Sequence, residues 1–278
     1  MRPDKQIICI KWGTAYPARY VNVLYAMCAR NITGAFKLHC FTDDAAGIRP
    51  EIACHALPEL GCQIPPDSPG KWRKQALWAR ELPGGVTGTV LFLDLDSAIV
   101  GNMDDYFTYG SSDDVITARN WARPLRRLGQ TSVFRFKVGA HAYMLDNLRA
   151  DPAGIAHKYQ FEQHYVTHGI RNGIKFWPET WTKHFRLHCL PPLPLRYFLP
   201  PQLPRDCKIV TFPGGPNPEQ IVKGHWWHDE TTHTPWQHIR SAFREYGHAM
   251  HDGSRIGLMK DLKSYLRTPE WLVKHWQE

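Results

Sequence analysis

Apolar residues fall along this chain in short dense runs, separated by stretches in which they recur at helical spacing. Ile7-Ile8-Cys9-Ile10 is the first run. It is short and β-favouring, so it reads as a buried strand. Helical spacing follows from Ala18 to Arg30, and Phe36 to Thr42 gives a second strand closed by Asp43-Asp44 and Gly47. Residues 61 to 70 are rich in Pro and Gly and predict a loop. A helix is predicted from Lys71 to Leu82, ahead of a third strong run, Val90-Leu91-Phe92-Leu93. Asp114 to Ala118 and the alternating segment Ser132 to Phe136 predict two further strands. Strands and helices taking turns in this way predict a doubly wound α/β sheet.

The pattern changes beyond Pro178. Residues 191 to 218 carry a dense set of prolines with interleaved apolar residues, which predicts ordered loops over a site rather than a flexible linker. The tail from Arg255 to Glu278 mixes Leu, Trp and basic residues at roughly helical spacing. The expected organisation is a main α/β domain over 1–220, with 221–278 as an extension packed on it. No internal repeat is visible.

Composition narrows the class. At 278 residues with 43% hydrophobic content and 11 Trp, the chain has material for one large core. No stretch approaches the ~20 apolar residues of a membrane span. No signal-like apolar region follows Met1, and a cytoplasmic protein is the expectation. The seven cysteines are odd in number, scattered and free of C-x-x-C spacing, which predicts reduced thiols rather than a zinc site or disulfide framework. A net charge of +8 favours anionic partners. The basic residues form no long run, so nucleic acid is not an expected partner.

The candidate chemistry sits at the end of the third run, where Leu93 is followed by Asp94-Leu95-Asp96. Side chains alternate along a strand, so two aspartates spaced i, i+2 point the same way where the chain leaves the sheet. Two carboxylates there are costly to desolvate without a cation or hydrogen bonds. That edge is also where open α/β sheets bind ligands. The pair therefore suggests a hard divalent cation, Mn²⁺ or Mg²⁺, bridging to a phosphate-bearing substrate. One rival is a haloacid-dehalogenase-type phosphatase with Asp94 as nucleophile. Against it, Ser97-Ala98 stands where that family places Gly-Thr, and the strand lies far from the N-terminus.

Several segments in order carry a family resemblance. They are Lys11-Trp12-Gly13-Thr14, Cys40-Phe41-Thr42-Asp43-Asp44, Trp72-Arg73-Lys74, Leu93-Asp94-Leu95-Asp96, Ser132-Val133-Phe134-Arg135-Phe136, Glu162-Gln163 and Phe212-Pro213-Gly214-Gly215-Pro216-Asn217-Pro218. In these the chain resembles bacterial glycosyltransferases of the GT-A fold, the group related to glycosyltransferase family 8. The resemblance implies a nucleotide-sugar-binding domain with a mixed central sheet. It implies sugar transfer from a nucleotide-sugar donor, with UDP the expected nucleotide, to a saccharide or lipid-linked acceptor, with retention of configuration.

Residue by residue, the resemblance places base and ribose at Trp12, Gly13 and Thr14. Asp43 is a further candidate for ribose or base, and a turn cap is its plainer reading. Arg73 and Lys74 are expected near the donor phosphate or sugar, Arg73 being the first choice, because neighbours on an α-helix diverge by about 100°. Asp94 is implied at the donor sugar or ribose, with Asp96 the more direct metal ligand. Glu162 and Gln163 occupy the place of the family's acid-plus-Gln pair beside the reacting sugar, Glu162 standing where Asp is usual. Gly214 belongs to the Pro/Gly-rich turn. The family's metal-binding His before that turn is replaced by Thr211, and its Lys by Asn217. A third ligand is then absent, a water, or His225 or His228, though loop packing is the plainer reading of those histidines. The tail from Met259 to Trp276 could meet an anionic membrane surface, its plainer reading being a helix packed on the domain. A catalytically weak glycan-binding protein is the remaining alternative.

Overall fold

The computed structural model describes residues 5–224, 233–251 and 257–278. In chain order the first half holds β1 (Lys5–Lys11), α1 (Ala18–Asn31), β2 (Phe36–Thr42), β3 (Ala53–His55), β4 (Thr89–Leu93), β5 (Ser97–Ile99), α2 (Asp104–Thr108), β6 (Ile116–Arg119) and β7 (Gly129–Lys137). Then come α3 (Tyr143–Ala150), α4 (Pro152–Tyr159), α5 (Glu162–Gly169), β8 (Lys175–Phe176), β9 (Thr182–His184) and β10 (Ile209–Thr211). The chain closes with α6 (Pro218–Val222), α7 (Pro235–His251), α8 (Leu258–Leu262) and α9 (Glu270–His275).

Seven strands form one sheet in the order β3-β2-β1-β4-β7-β6-β8. β1 to β4 are mutually parallel, whereas β7 runs antiparallel to both β4 and β6, so the sheet is mixed. A second sheet, β5-β10-β9, lies beside it. Both faces of the main sheet are covered, which is why its strands are continuous apolar runs. Ile7, Cys9, Leu91 and Leu93 pack with Val21, Leu24 and Met27 of α1 on one face. Ile8, Val90 and Phe92 pack with Trp78, Phe134 and Leu145 on the other.

The helix predicted over Lys71 to Leu82 is a single 3₁₀ segment, Trp72–Trp78. Trp72, Gln75 and Trp78 are spaced by three and all are buried. A 3₁₀ turn stacks residues i and i+3 on one side, so it buries all three together where an α-helix would fan them apart. The predicted strand over Asp114 to Ala118 starts later, at Ile116, because Asp114 is engaged in a turn, accepting the Ser111 N–H at 2.7 Å.

The tail forms short helices rather than one. Leu272 and Trp276 are buried in the first core, Trp276 meeting the Tyr20 ring edge-on at 5.1 Å. Arg30 on α1 fixes the end of the tail by donating to the carbonyls of His275 and Gln277. Among the described residues, no helix is long and apolar enough to cross a membrane.

Candidate active site

The parallel strands β1, β2 and β4 end at one edge of the main sheet, and the loops leaving them converge there. β4 stops at Leu93, and Asp94 and Asp96 lie in a tight turn that hands the chain to β5 in the second sheet. The Asp94 N–H donates to the Ser132 carbonyl at 2.9 Å, tying this turn to β7. A cleft of about 440 Å³ opens at this edge. It is lined by Trp12, Arg73, Lys74, Asp94, Asp96, Glu162, Gln163 and Gly214, among others. Residues 12 to 214 in sequence thus meet at one site.

Each aspartate has its own partner. Lys74 Nζ lies 2.6 Å from Asp94 Oδ1 and 2.8 Å from Oδ2, and it also donates to the Thr131 carbonyl at 3.2 Å. The ammonium sits 5.0 Å from the Phe92 ring centre, so its stem is packed as well as its charge paired. The Tyr16 hydroxyl donates to Asp96 Oδ2 at 3.1 Å. Burial, and next the neighbouring Asp94 charge, raise the Asp96 pKa to about 6. Two carboxylates facing one cleft thus carry a charge only partly offset by the chain.

Arg73 and Lys74, both expected near the donor, both line the cleft. Lys74 goes to Asp94, while the Arg73 guanidinium lies 5.7 Å from the ring centre of Trp12. Trp12 is 49% exposed, an unusual state for an indole at a cleft wall. Gly13, Thr14 and Asp43 stand outside the cleft lining. The Gly13 N–H donates to Asp43 Oδ2 at 2.9 Å, and this hydrogen bond is the leading cause of a lowered Asp43 pKa. Asp43 therefore shapes the turn that carries Trp12, and Gly13 supplies that turn with a φ of +60°. Thr14 is exposed.

Glu162 and Gln163 open α5 and both reach the cleft. Glu162 is buried, and its Oε2 accepts the Lys71 N–H at 2.9 Å. Gly70, at φ +100°, passes so close that a Cβ there would lie 2.4 Å from Glu162 Oε2. Glu162 thus clamps the end of the 61–70 loop, where Gly70 and Lys71 line the cleft. Gln163 leaves its side chain for the cleft, and its carbonyl accepts from the Thr167 hydroxyl at 2.7 Å.

Pro213, Gly214, Gly215 and Asn217 also line the cleft. Thr211 is fully buried in β10 and its hydroxyl donates to the Lys183 carbonyl at 3.2 Å, so it is spent on packing. His225 and His228 lie outside the described residues. Among the described residues, no group of three His, Cys, Asp or Glu stands together. Asp94 and Asp96 are the pair that could hold a metal ion, and two carboxylates fit a hard cation of the Mg²⁺ or Mn²⁺ type. Such ions are held through one or two carboxylates, with waters and substrate phosphates completing the shell.

No protein-family model matches this sequence, and no curated protein matches it. Solved structures do. The galactosyltransferase LgtC, solved with donor and acceptor sugar analogues, matches with a TM-score of 0.53 at 10% identity, over 77% of this chain and 88% of that one. The chain has the GT-A fold. WbbM, a bifunctional glycosyltransferase, shares this GT-A fold with a TM-score of 0.52 at 10% identity, over 77% of this chain and 46% of WbbM. GlyE, a glycosyltransferase of Streptococcus pneumoniae TIGR4, matches over 99% of this chain and 66% of its own, with a TM-score of 0.53 at 13% identity. At such identities the likeness fixes the GT-A fold and leaves the chemistry to the residues.

Sequence reading missed Tyr16, Gly70 and Lys71 in this GT-A cleft. Tyr16 had a signal, since it lies in the loop leaving β1 at the ligand-binding edge. Gly70 and Lys71 had none, because their place depends on Glu162, some ninety residues further on.

Proposed function

We propose that the protein is a divalent-cation-dependent glycosyltransferase that moves a sugar from a nucleotide-sugar donor to a saccharide or lipid-linked acceptor. One observation carries this reading: a cleft at the sheet edge brings together three carboxylates (Asp94, Asp96 and Glu162), three cations (Lys71, Arg73 and Lys74) and an exposed indole. That set matches the parts of a nucleoside diphosphate sugar. The indole face of Trp12 takes the base, UDP being the first candidate. Arg73, beside it, takes diphosphate oxygens through its planar fork.

Asp94 and Asp96 would hold the cation, which neutralises charge developing on the departing diphosphate. Lys74 holds Asp94 in place and adds positive charge at the same point. Tyr16 orients Asp96. Gln163 faces the space left for the sugar, and Glu162 keeps the wall beside it rigid. Transfer with retention belongs to this reading, as does a cytoplasmic location. It also includes peripheral contact of the tail with anionic lipid, where Met259 is exposed. The extension 221–278 is proposed to pack on the catalytic domain through α9.

Thermal-shift screening against nucleotide sugars, with and without Mn²⁺, tests the proposal. A ligand at 100 times its Kd adds about 2.7 kcal/mol. Stabilisation by one nucleotide sugar, dependent on the ion and lost in Asp96→Ala, is expected. Phosphoester hydrolysis abolished by Asp94→Asn, with no nucleotide-sugar response, would replace this reading with a phosphatase. Glycan binding untouched by Asp96→Ala, again with no nucleotide response, would replace it with a binding protein.

A further inference from the structure

The geometry points to a second saccharide subsite, built for an acidic sugar residue of the acceptor, in a cavity beside the donor cleft; its role as an acceptor site rests on the function proposed above. This cavity measures about 180 Å³ and is lined by the end of β6, the start of the loop after it, and residues 177 to 188. Ala118 of β6 lines it and pairs directly with Gln130 of β7, which lines the donor cleft. Directly opposed residues on antiparallel strands lie about 5 Å apart, so the two spaces are neighbours. β6 runs antiparallel to β7 as β4 does, which puts its C-terminal end at the same sheet edge as Asp94.

The size suits one ring. Sites for whole drug-sized ligands start near ~300 Å³, so this space would take a single residue of a longer molecule. Its walls suit a sugar. Trp121 is half-buried and braced by His184 and His188, whose rings stand edge-on to it at 5.7 and 6.0 Å. A fixed indole with one part open is a surface on which the apolar side of a pyranose packs.

The charges select among sugars. Arg119 and Lys183 line the cavity, and among the described residues neither has a carboxylate partner. The Arg119 guanidinium is stacked over Phe176 at 4.9 Å, which holds its direction. Glu179 is the one carboxylate in the lining, and it is exposed. Two half-buried cations against one solvated anion leave a positive site whose natural complement is a carboxylate or phosphate on the sugar. The exposed Arg123 and Arg126 on the adjoining loop extend that field.

The test is calorimetry on the full chain with a panel of oligosaccharides carrying uronate, sialic acid or sugar phosphate, each paired with its neutral counterpart. Expected is binding of at least one acidic member, at least tenfold tighter than its neutral partner. That preference should fall at least tenfold in Arg119→Gln/Lys183→Gln, while Trp121→Ala should weaken binding of the acidic member itself at least tenfold. Binding of UDP with Mn²⁺ should stay unchanged in all variants, and it reports their folding. UDP binding with no acidic preference, or an acidic preference that survives the double substitution, overturns the subsite alone. Acidic binding with no nucleotide binding in the unmodified protein overturns the transferase reading and with it the acceptor role.

Discussion

Replacing Lys74 by Met tests the electrostatic design of the cleft. The ammonium meets both Asp94 oxygens, and the two side chains are 15% and 22% exposed. Exposed pairs contribute up to about 1 kcal/mol, while breaking a fully buried pair costs about 3–5 kcal/mol. Partial exposure places this pair between them, at about 2 kcal/mol for Lys74→Met. For a chain of this length that lowers Tm by about 5 °C. A double-mutant cycle with Asp94→Asn, read by urea unfolding, isolates the pair, and a coupling of about 1–2 kcal/mol is expected. Sugar transfer should fall by about 10²-fold or more, since a cation at the developing charge is lost. Stability effects that simply add, within about 0.5 kcal/mol, would refute the pairing.

Other substitutions probe separate parts. Trp12→Ala should weaken nucleotide binding by up to tenfold, the order of ~1 kcal/mol for lost aromatic contact, with little change in stability because the ring is half exposed; calorimetry with UDP checks both. Gly70→Ala forces a Cβ against Glu162 in a backbone region that L residues avoid, and should cost about 1–3 kcal/mol and weaken donor binding together; equal donor affinity in this variant would remove Glu162 as the wall's clamp. The third prediction concerns pH. His39 contacts His55 at 2.9 Å, and burial, then the His55 charge, lower its pKa to about 4. That lies below the unfolded value of about 6.5, so the neutral ring's contribution is present above pH 6.5 and is lost as pH falls towards 4, at most roughly 3 kcal/mol. A urea series should show a shallower acid loss in His39→Leu than in the unmodified chain, and parallel losses would contradict the assignment.

The edge aspartates were legible because two local rules meet there: an apolar run specifies a buried strand, and its last residues specify the ligand-binding edge. The strands Phe36–Thr42 and Val90–Leu93 were legible for the same reason. Other features had no local signature. Alternation in Gly129–Lys137 shows a strand but not its direction, which depends on how the chain returns, so the antiparallel place of β7 came only from the fold. Trp72, Gln75 and Trp78 hold a 3₁₀ spacing that overlaps an α-helical pattern over so short a stretch. Glu162 lines the cleft, but the hydrogen bond its Oε2 accepts from the Lys71 N–H joins segments distant in sequence and has no local signature.

The most direct measurement is a crystal structure of the full chain with UDP and Mn²⁺. The account predicts the base against Trp12, the diphosphate within reach of Arg73, and the ion between Asp94, Asp96 and the phosphate oxygens. Nucleotide bound elsewhere on the protein, with both carboxylates still held by Lys74 and Tyr16 over an empty cleft, would contradict it.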